Sequence, residues 1–173
     1  MQSFVMGSGC FWCLDAALRG LRGVESSVCG YSGGDTPHPD YRSVCSGATG
    51  HQEVVKVEFD EAVIPPETIV DVFFSVHDPT SWDRQGADSG SQYRSVLFYE
   101  NEDQREFFEA AKARAQKLWD QDIVTVIAPL EKFWEAEDYH QNYYALNPGQ
   151  GYCIAVINPK LSKVRQQYAE YLQ

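Results

Sequence analysis

The 173-residue chain is short of positive charge: 14 Lys and Arg stand against 25 Asp and Glu, a formal net charge of −11. That balance argues against a partner built on a phosphate backbone. Long hydrophobic runs are missing too, and none approaches the ~20 residues that a membrane-spanning helix needs. The first apolar strand, Gln2 to Met6, starts almost at Met1. This leaves no room for a leader segment, so a cytoplasmic location is expected. There is no internal repeat, no low-complexity tract and no Pro/Ser-rich linker. Residues 1–173 are therefore expected to form one domain, with about 155–173 a C-terminal strand and helix extension. An even set of cysteines is also absent: there are five, an odd number that suits a reducing compartment and redox chemistry better than a disulfide framework.

A hydrophobic content of 43% with 13% aromatics is that of a globular chain able to bury a core. Its most informative stretch is Val5-Met6-Gly7-Ser8-Gly9-Cys10-Phe11-Trp12-Cys13. Gly7 to Gly9 is a turn after the first strand, and Leu14, Ala17, Leu18 and Leu21 then carry helical spacing, predicting a helix over Leu14 to Leu21. Cys10 thus falls at a strand end and a helix start, where unpaired N–H groups and the helix dipole favour an anion. Bringing a thiol pKa from about 8.5 to about 7 takes roughly 2 kcal/mol, most of which a helix start can supply. A buried structural cysteine is the bland alternative. The flanking glycines and a second thiol three residues on favour a nucleophile.

Further along, Val24 to Cys29 is a predicted strand, followed by the bend Gly30-Tyr31-Ser32-Gly33-Gly34 and an irregular stretch to Gly50. In the strand His51 to Asp60, Glu53 shares parity with Val55, Val57 and Phe59, the apolar set. A carboxyl on that face is partly desolvated, so its pKa rises and it becomes a proton donor near neutral pH; a solvated place at a frayed strand end is the even alternative. Pro65-Pro66 opens a helix ending at His77, and Asp78 to Arg94 is a polar loop. A strand over Ser95 to Tyr99 precedes a helix over Glu102 to Trp119 with the stripe Phe107, Ala111, Ala115 and Leu118. A strand over Ile123 to Ala128, a stretch ending in a helix near Leu146, a last strand over Tyr152 to Ile157 and a last helix over Leu161 to Leu172 complete the order. This alternation predicts an α+β two-layer sandwich with an open mixed sheet, ferredoxin-like in arrangement.

Several chemistries use a cysteine at such a turn. A tyrosine-phosphatase loop needs an arginine six residues on, and Ala16 stands there. A cysteine protease would recruit His51, His77 or His140 as a base. A zinc-stabilised module could take Cys10 and Cys13, but Cys29 and Cys45 are too far apart for the usual second pair. A general thiol–disulfide exchanger using Cys10 and Cys13 is the strongest rival on chemistry alone.

The motifs Gly9-Cys10-Phe11-Trp12, Gly30 to Gly34, Tyr41 with Val44-Cys45-Ser46-Gly47, and Thr49-Gly50-His51-Gln52-Glu53 recur in a known order. They continue through His77-Asp78-Pro79-Thr80, Arg84-Gln85-Gly86-Ala87-Asp88, Gln92-Tyr93-Arg94-Ser95, Ala136 to Gln141 and Asn147-Pro148. The sequence resembles the peptide methionine sulfoxide reductases of the A type from Phe4 to about Cys153. The resemblance implies that Cys10 attacks the sulfoxide sulfur and becomes a sulfenic acid, with Glu53 protonating the oxygen. It implies that Tyr41 and Tyr93 hydrogen-bond that oxygen and that Phe11 and Trp12 wall the methyl pocket. Asp88 would orient the substrate amide or a water, and His140 would line the site. The implied substrate is the S-epimer of methionine sulfoxide, free or in proteins, the implied reductant thioredoxin or a similar dithiol protein, and no cofactor or metal is implied. The sequence leaves the common pattern at regeneration: Cys13 stands where the family often has Gly, and only Cys153 remains of a frequent pair of tail cysteines. Cys13, one helical turn from Cys10, is the expected resolving thiol, with Cys153 the rival. Cys29 and Cys45 are expected to be structural.

Overall fold

The computed structural model describes residues 1–85 and 88–172; Gly86 and Ala87 of the Arg84–Asp88 motif lie outside the described residues, as does Gln173. The sheet strands are β1 (Gln2–Ser8), β2 (Val24–Ser32), β3 (Gln52–Phe59), β6 (Ser95–Tyr99), β7 (Val126–Pro129) and β8 (Trp134–Glu135), and a separate ribbon holds β4 (Arg84–Gln85) and β5 (Asp88–Ser89). The helices are α1 (Phe11–Arg19), α2 (Tyr41–Cys45), α3 (Pro66–Ser75), α4 (Glu102–Gln116), α5 (Tyr143–Leu146) and α6 (Asn158–Gln167). The six-stranded sheet runs β7-β6-β1-β3-β2-β8. It is mixed: β6 and β7 are parallel and every other neighbouring pair is antiparallel. With its helices it forms an α+β architecture.

Strand alternation decides which face receives the helices. Phe4, Met6, Val55, Val57, Phe59 and Leu97 join one large core with Leu14 and Leu18 of α1, Ile69 and Phe73 of α3, and Phe108 of α4. The opposite face buries a smaller cluster, Val5, Val54, Val96 and Phe98, beneath Leu130 and Phe133. Asp15 is a buried charge on α1, and it is matched by Arg19 Nε at 2.9 Å and the Ser27 hydroxyl at 2.5 Å.

Three expectations change. Tyr152 to Ile157 is not a strand: Cys153–Ile157 is a π-helical segment running directly into α6. Its β-branched run looks extended in isolation, but the buried residues Cys153, Ile157, Leu161 and Val164 recur every three to four positions, and packing on α1 settles the segment as helix. The expected strand half of the 155–173 extension is therefore helical as well. In α4 the buried residues are Phe108, Ala111 and Ala115; Leu118 lies past the helix end, 85% exposed. The loops on either side of β3 and β6 hold short ordered pieces, α2 and the β4–β5 ribbon.

The C-terminal end is tied down. Leu172 bridges to Leu21, the Arg22 N–H donates to the Tyr171 carbonyl at 2.6 Å, and the Arg22 guanidinium donates to the Glu170 carbonyl. Among the described residues no helix is long and apolar enough to cross a membrane.

Candidate active site

β1 delivers the chain to the site and a glycine turns it. Gly9 has φ +98°, a region that L side chains avoid, and a Cβ there would meet Gln85 Cγ at 2.8 Å. Cys10 follows as the N-cap of α1; its side chain makes no capping bond, so N–H groups of the first turn are left for other acceptors. One of those, Phe11 N–H, donates to Glu53 Oε1 at 3.2 Å. This bond brings together two residues 42 positions apart in sequence. Glu53 lies on β3 among Val55, Val57 and Phe59, as its parity predicts, and is 1% exposed. Its second oxygen, Oε2, is buried without a partner. Burial pushes the carboxyl up to about 8 against the opposing Phe11 bond, with the negative charge of Asp88 and of the Cys13 thiolate adding to the rise. The carboxyl is therefore protonated at neutral pH.

Cys10 and Cys13 are both buried, 8% and 2% exposed, and their thiols hydrogen-bond each other. The negative charge of this pair rests on Cys13. Burial pushes the Cys10 thiol well above its ordinary value, and the bond to Cys13 acts in the same direction. Cys13 is brought down to about 7, chiefly by accepting the Cys10 S–H and next by the Lys160 ammonium, against its own burial. The sequence assigns the lowered pKa to Cys10; the bond between the two thiols, with Lys160 of the C-terminal helix beside it, moves it one turn along.

Aromatic rings wall the site. Phe11 is 1% exposed and faces Tyr31, Tyr41 and His140, with ring centres 5.7, 6.4 and 5.1 Å away. Trp12 stacks on Tyr143 at 3.8 Å and donates its indole N–H to His140 Nδ1 at 3.1 Å. That bond fixes the His140 tautomer with the proton on Nε2, which is buried and has no partner. Tyr41 opens α2, and Tyr93 closes the 3₁₀ turn Ser91–Tyr93. Both hydroxyls come close to the Cys45 thiol, so the two tyrosines converge from separate loops. Burial and the nearby Glu53 carboxyl hold both phenols above their ordinary range, so they remain donors. Asp88, on β5, accepts the Tyr152 hydroxyl at 2.7 Å, and that hydroxyl stands close to the Cys10 and Cys13 thiols.

Two other histidines are occupied elsewhere. His51 receives Gly34 N–H on Nδ1 at 3.0 Å and reaches the Thr36 carbonyl through Nε2 at 2.7 Å. His77 is locked between the Phe73 carbonyl and the Ser95 hydroxyl, each at 2.7 Å, and burial holds it down to about 3. Cys29 and Cys153 are fully buried free thiols and Cys45 is half-buried. Among the described residues, no three His, Cys, Asp or Glu side chains group as a metal site.

Four participants escape a reading of the sequence. Glu137 accepts Tyr31 O–H at 2.9 Å and Tyr41 N–H at 3.0 Å, and so holds the start of α2. Gln141 brackets Cys29, accepting its N–H at 2.8 Å and donating to its carbonyl at 3.0 Å. Tyr152 and Lys160 come from the C-terminal helix, and only the periodicity of Cys153, Ile157, Leu161 and Val164 signals that this helix exists.

Comparison with known proteins gives concordant results. The family model of the peptide methionine sulfoxide reductases matches residues 2–172. The chain is 55% identical over 172 residues to the peptide methionine sulfoxide reductase MsrA of Pseudarthrobacter chlorophenolicus, covering 99% of both chains. It is 54% identical over 173 residues to that of Clavibacter michiganensis, covering 100% of this chain and 99% of the relative. Among solved structures, Mxr1 from Saccharomyces cerevisiae in reduced form superimposes with a TM-score of 0.83 at 34% identity, over 88% of each chain. Mxr1 in complex with Trx2 matches with a TM-score of 0.59 at 25% identity, over 82% of this chain and 84% of that one.

Proposed function

The chain belongs to the peptide methionine sulfoxide reductase family, and on that premise we propose how its own residues carry the reaction. The enzyme reduces the S-epimer of methionine sulfoxide, free or in proteins, to methionine, and a thioredoxin-type dithiol regenerates it. Cys10 attacks the sulfoxide sulfur, and its proton passes to the Cys13 sulfur that it already hydrogen-bonds. Glu53 gives its proton to the oxygen, which Tyr41 and Tyr93 also bond, so charge on that atom is met by donors already in place. The S–O bond breaks as the hydroxyl passes to Cys10: methionine leaves, and Cys10 becomes a sulfenic acid. Cys13 then returns its proton through Glu53 to the departing hydroxide and attacks the Cys10 sulfur, giving a Cys10–Cys13 disulfide and water. Two electrons from the thiols have reduced one sulfoxide.

Phe11 and Trp12 form the wall for the substrate methyl, His140 offers a neutral Nε2–H donor beside them, and Asp88 aligns the substrate amide. Cys153, buried beneath the helix that carries it, is the weaker candidate for resolution. The strand order β6-β1-β3-β2, with α1 and α3 as the crossovers, fits the ferredoxin-like arrangement. One continuous core from Phe4 to Val164 supports a single domain over residues 1–173, and five free thiols suit the reducing cytoplasm.

The observation that carries this reading is a protonated, 1%-exposed glutamate with one unpartnered oxygen at the same helix start as the thiol pair. Single-turnover methionine release tests it. Cys10→Ser abolishes release, and Glu53→Gln slows it by about 10²–10⁴-fold. A general disulfide exchanger would be indifferent to the glutamine, so an unchanged rate overturns the assignment of Glu53.

A further inference from the structure

Lys160 stands in the first turn of α6, and its ammonium nitrogen lies 3.8 Å from Cys13 Sγ. Among the described residues no carboxylate lies within ion-pair distance of that nitrogen, while Arg19, Arg94, Arg105 and Arg114 each have one. A lysine paired with a sulfur in preference to an acid, on a chain with 25 acidic residues, is an arrangement that serves the thiolate. The placement is sturdy: Ile157, Leu161 and Val164 of the same helix are buried, and the end beyond it is tied to Leu21 and Arg22.

We infer that Lys160 is a positioning residue for regeneration, holding Cys13 as the anion that takes the Cys10 proton, attacks the sulfenic acid and later departs from the disulfide. The inference rests on the reading of Cys13 as the resolving thiol. Other groups face Cys13 from each neighbouring element: the Cys10 thiol on its own helix, Tyr152 and Cys153 from the C-terminal segment, Asp88 from β5 and Glu53 from β3. Of these, the Cys10 thiol is the hydrogen-bond donor that favours the thiolate, and the Asp88 charge opposes it. Among the described residues named around Cys13, Lys160 supplies the positive charge. The same charge works in both directions of the exchange. It raises the thiolate fraction when Cys13 attacks, and it makes Cys13 the better leaving group when an incoming dithiol attacks Cys10. In that second step the incoming thiolate bonds to Cys10 sulfur, the S–S bond breaks and the electron pair settles on Cys13.

A lower thiol pKa raises the thiolate fraction but reduces its intrinsic nucleophilicity, with a Brønsted slope of about 0.4–0.5. If Lys160→Met raises the Cys13 pKa by about one unit, resolution becomes roughly 3-fold slower near pH 6. It becomes roughly 2–3-fold faster near pH 9, with the two rates crossing between. A residue of purely structural importance slows resolution at every pH and produces no crossing.

The experiment follows Cys10–Cys13 disulfide formation in single turnover, across pH, for the full chain and for Lys160→Met, Lys160→Arg and Cys13→Ser. In parallel, ultraviolet absorbance of the thiolate titrates Cys13 in Cys10→Ser protein with and without Lys160→Met. The expected result is an upward shift of the Cys13 midpoint by about one pH unit and the crossing of rates in Lys160→Met, with both restored in Lys160→Arg and no disulfide in Cys13→Ser. An unshifted midpoint, or uniform slowing, overturns the role of Lys160 and leaves Cys13 as the resolving thiol. An intramolecular disulfide that still forms in Cys13→Ser overturns the resolving role itself, and the inference with it.

Discussion

At the scale of single residues, the site is a problem of protons. Hydroxide leaves sulfur poorly, so a thiolate alone achieves little until the oxygen receives a proton. In the proposed reaction Glu53 meets that need, and it is protonated chiefly because its strand buries it: desolvation is the largest cause of its rise to about 8. Tyr41 and Tyr93 differ from it in kind. Their phenols are held above their ordinary range, so they stay protonated and serve as fixed donors. Tyr41→Phe and Tyr93→Phe are each expected to lower the single-turnover rate by about 10-fold, and the double variant by about 10²–10³-fold, by analogy with loss of other oxyanion donors. Methionine release measured with substrate saturating separates this loss from weakened binding.

At the scale of elements, short connections hold the site more than long ones do. The edge of β2 has only two residues of pairing with β8, and Gln141 continues the ladder with its side chain by bonding both backbone groups of Cys29. The same glutamine directly follows His140, whose ring bonds Trp12. Gln141→Ala leaves the Cys29 amide unpaired, while its carbonyl keeps the Ala136 N–H at 2.9 Å, and the expected cost is about 1–3 kcal/mol in urea unfolding. A variant as stable as the parent would mean that β2 finds other partners.

This is also the scale at which the sequence is most unevenly informative. Alternation along Glu53 to Phe59 places the Glu53 carboxyl on the core face, a local pattern that the structure obeys; the expected Gly7-Ser8-Gly9 turn is narrower, since Gly7 and Ser8 still pair in β1 and the chain turns at Gly9 to put Cys10 at a helix start. The run from Tyr152 to Ile157 fails because its residue types favour a strand while its burial period, extended to Val164, is helical. Charge on the thiol pair fails for another reason. It depends on the Cys10 thiol first and then on Lys160, a residue 147 positions from Cys13, and no spacing in the sequence links Lys160 to the pair. Glu137 and Gln141 lie inside a motif that points to the site, but nothing in their residue type tells which backbone groups they bind.

At the scale of the whole molecule, the buried acid leaves a mark on stability. Folded Glu53 keeps a proton up to about pH 8, whereas an unfolded chain loses it near 4.5. The folded state binds more protons between those values, so this contribution is fully present below pH 4.5 and fades as pH rises through 8. His77 acts in the opposite sense. It is held neutral down to about 3 against an ordinary 6.5, so its contribution is lost as pH falls through that window. The comparison that isolates the acid is Glu53→Gln against the parent in denaturant unfolding. The variant is expected to gain relative stability steadily from about pH 5 to pH 8 and then level off, by roughly 3–5 kcal/mol in total. A difference that is flat across this range would mean that the carboxyl is ionised in the folded protein.

The anchoring of Leu172 and Tyr171 onto the turn after α1 bears on how fast the enzyme can recycle. A thiol carried on a free tail must find its partner by chain diffusion, a search whose cost grows with the length of the tether. Here the terminal segment is moored to the turn after α1. If Cys13 resolves the sulfenic acid, closing the bond needs only a rearrangement within a single helical turn, and its single-turnover rate is expected to be independent of solvent viscosity.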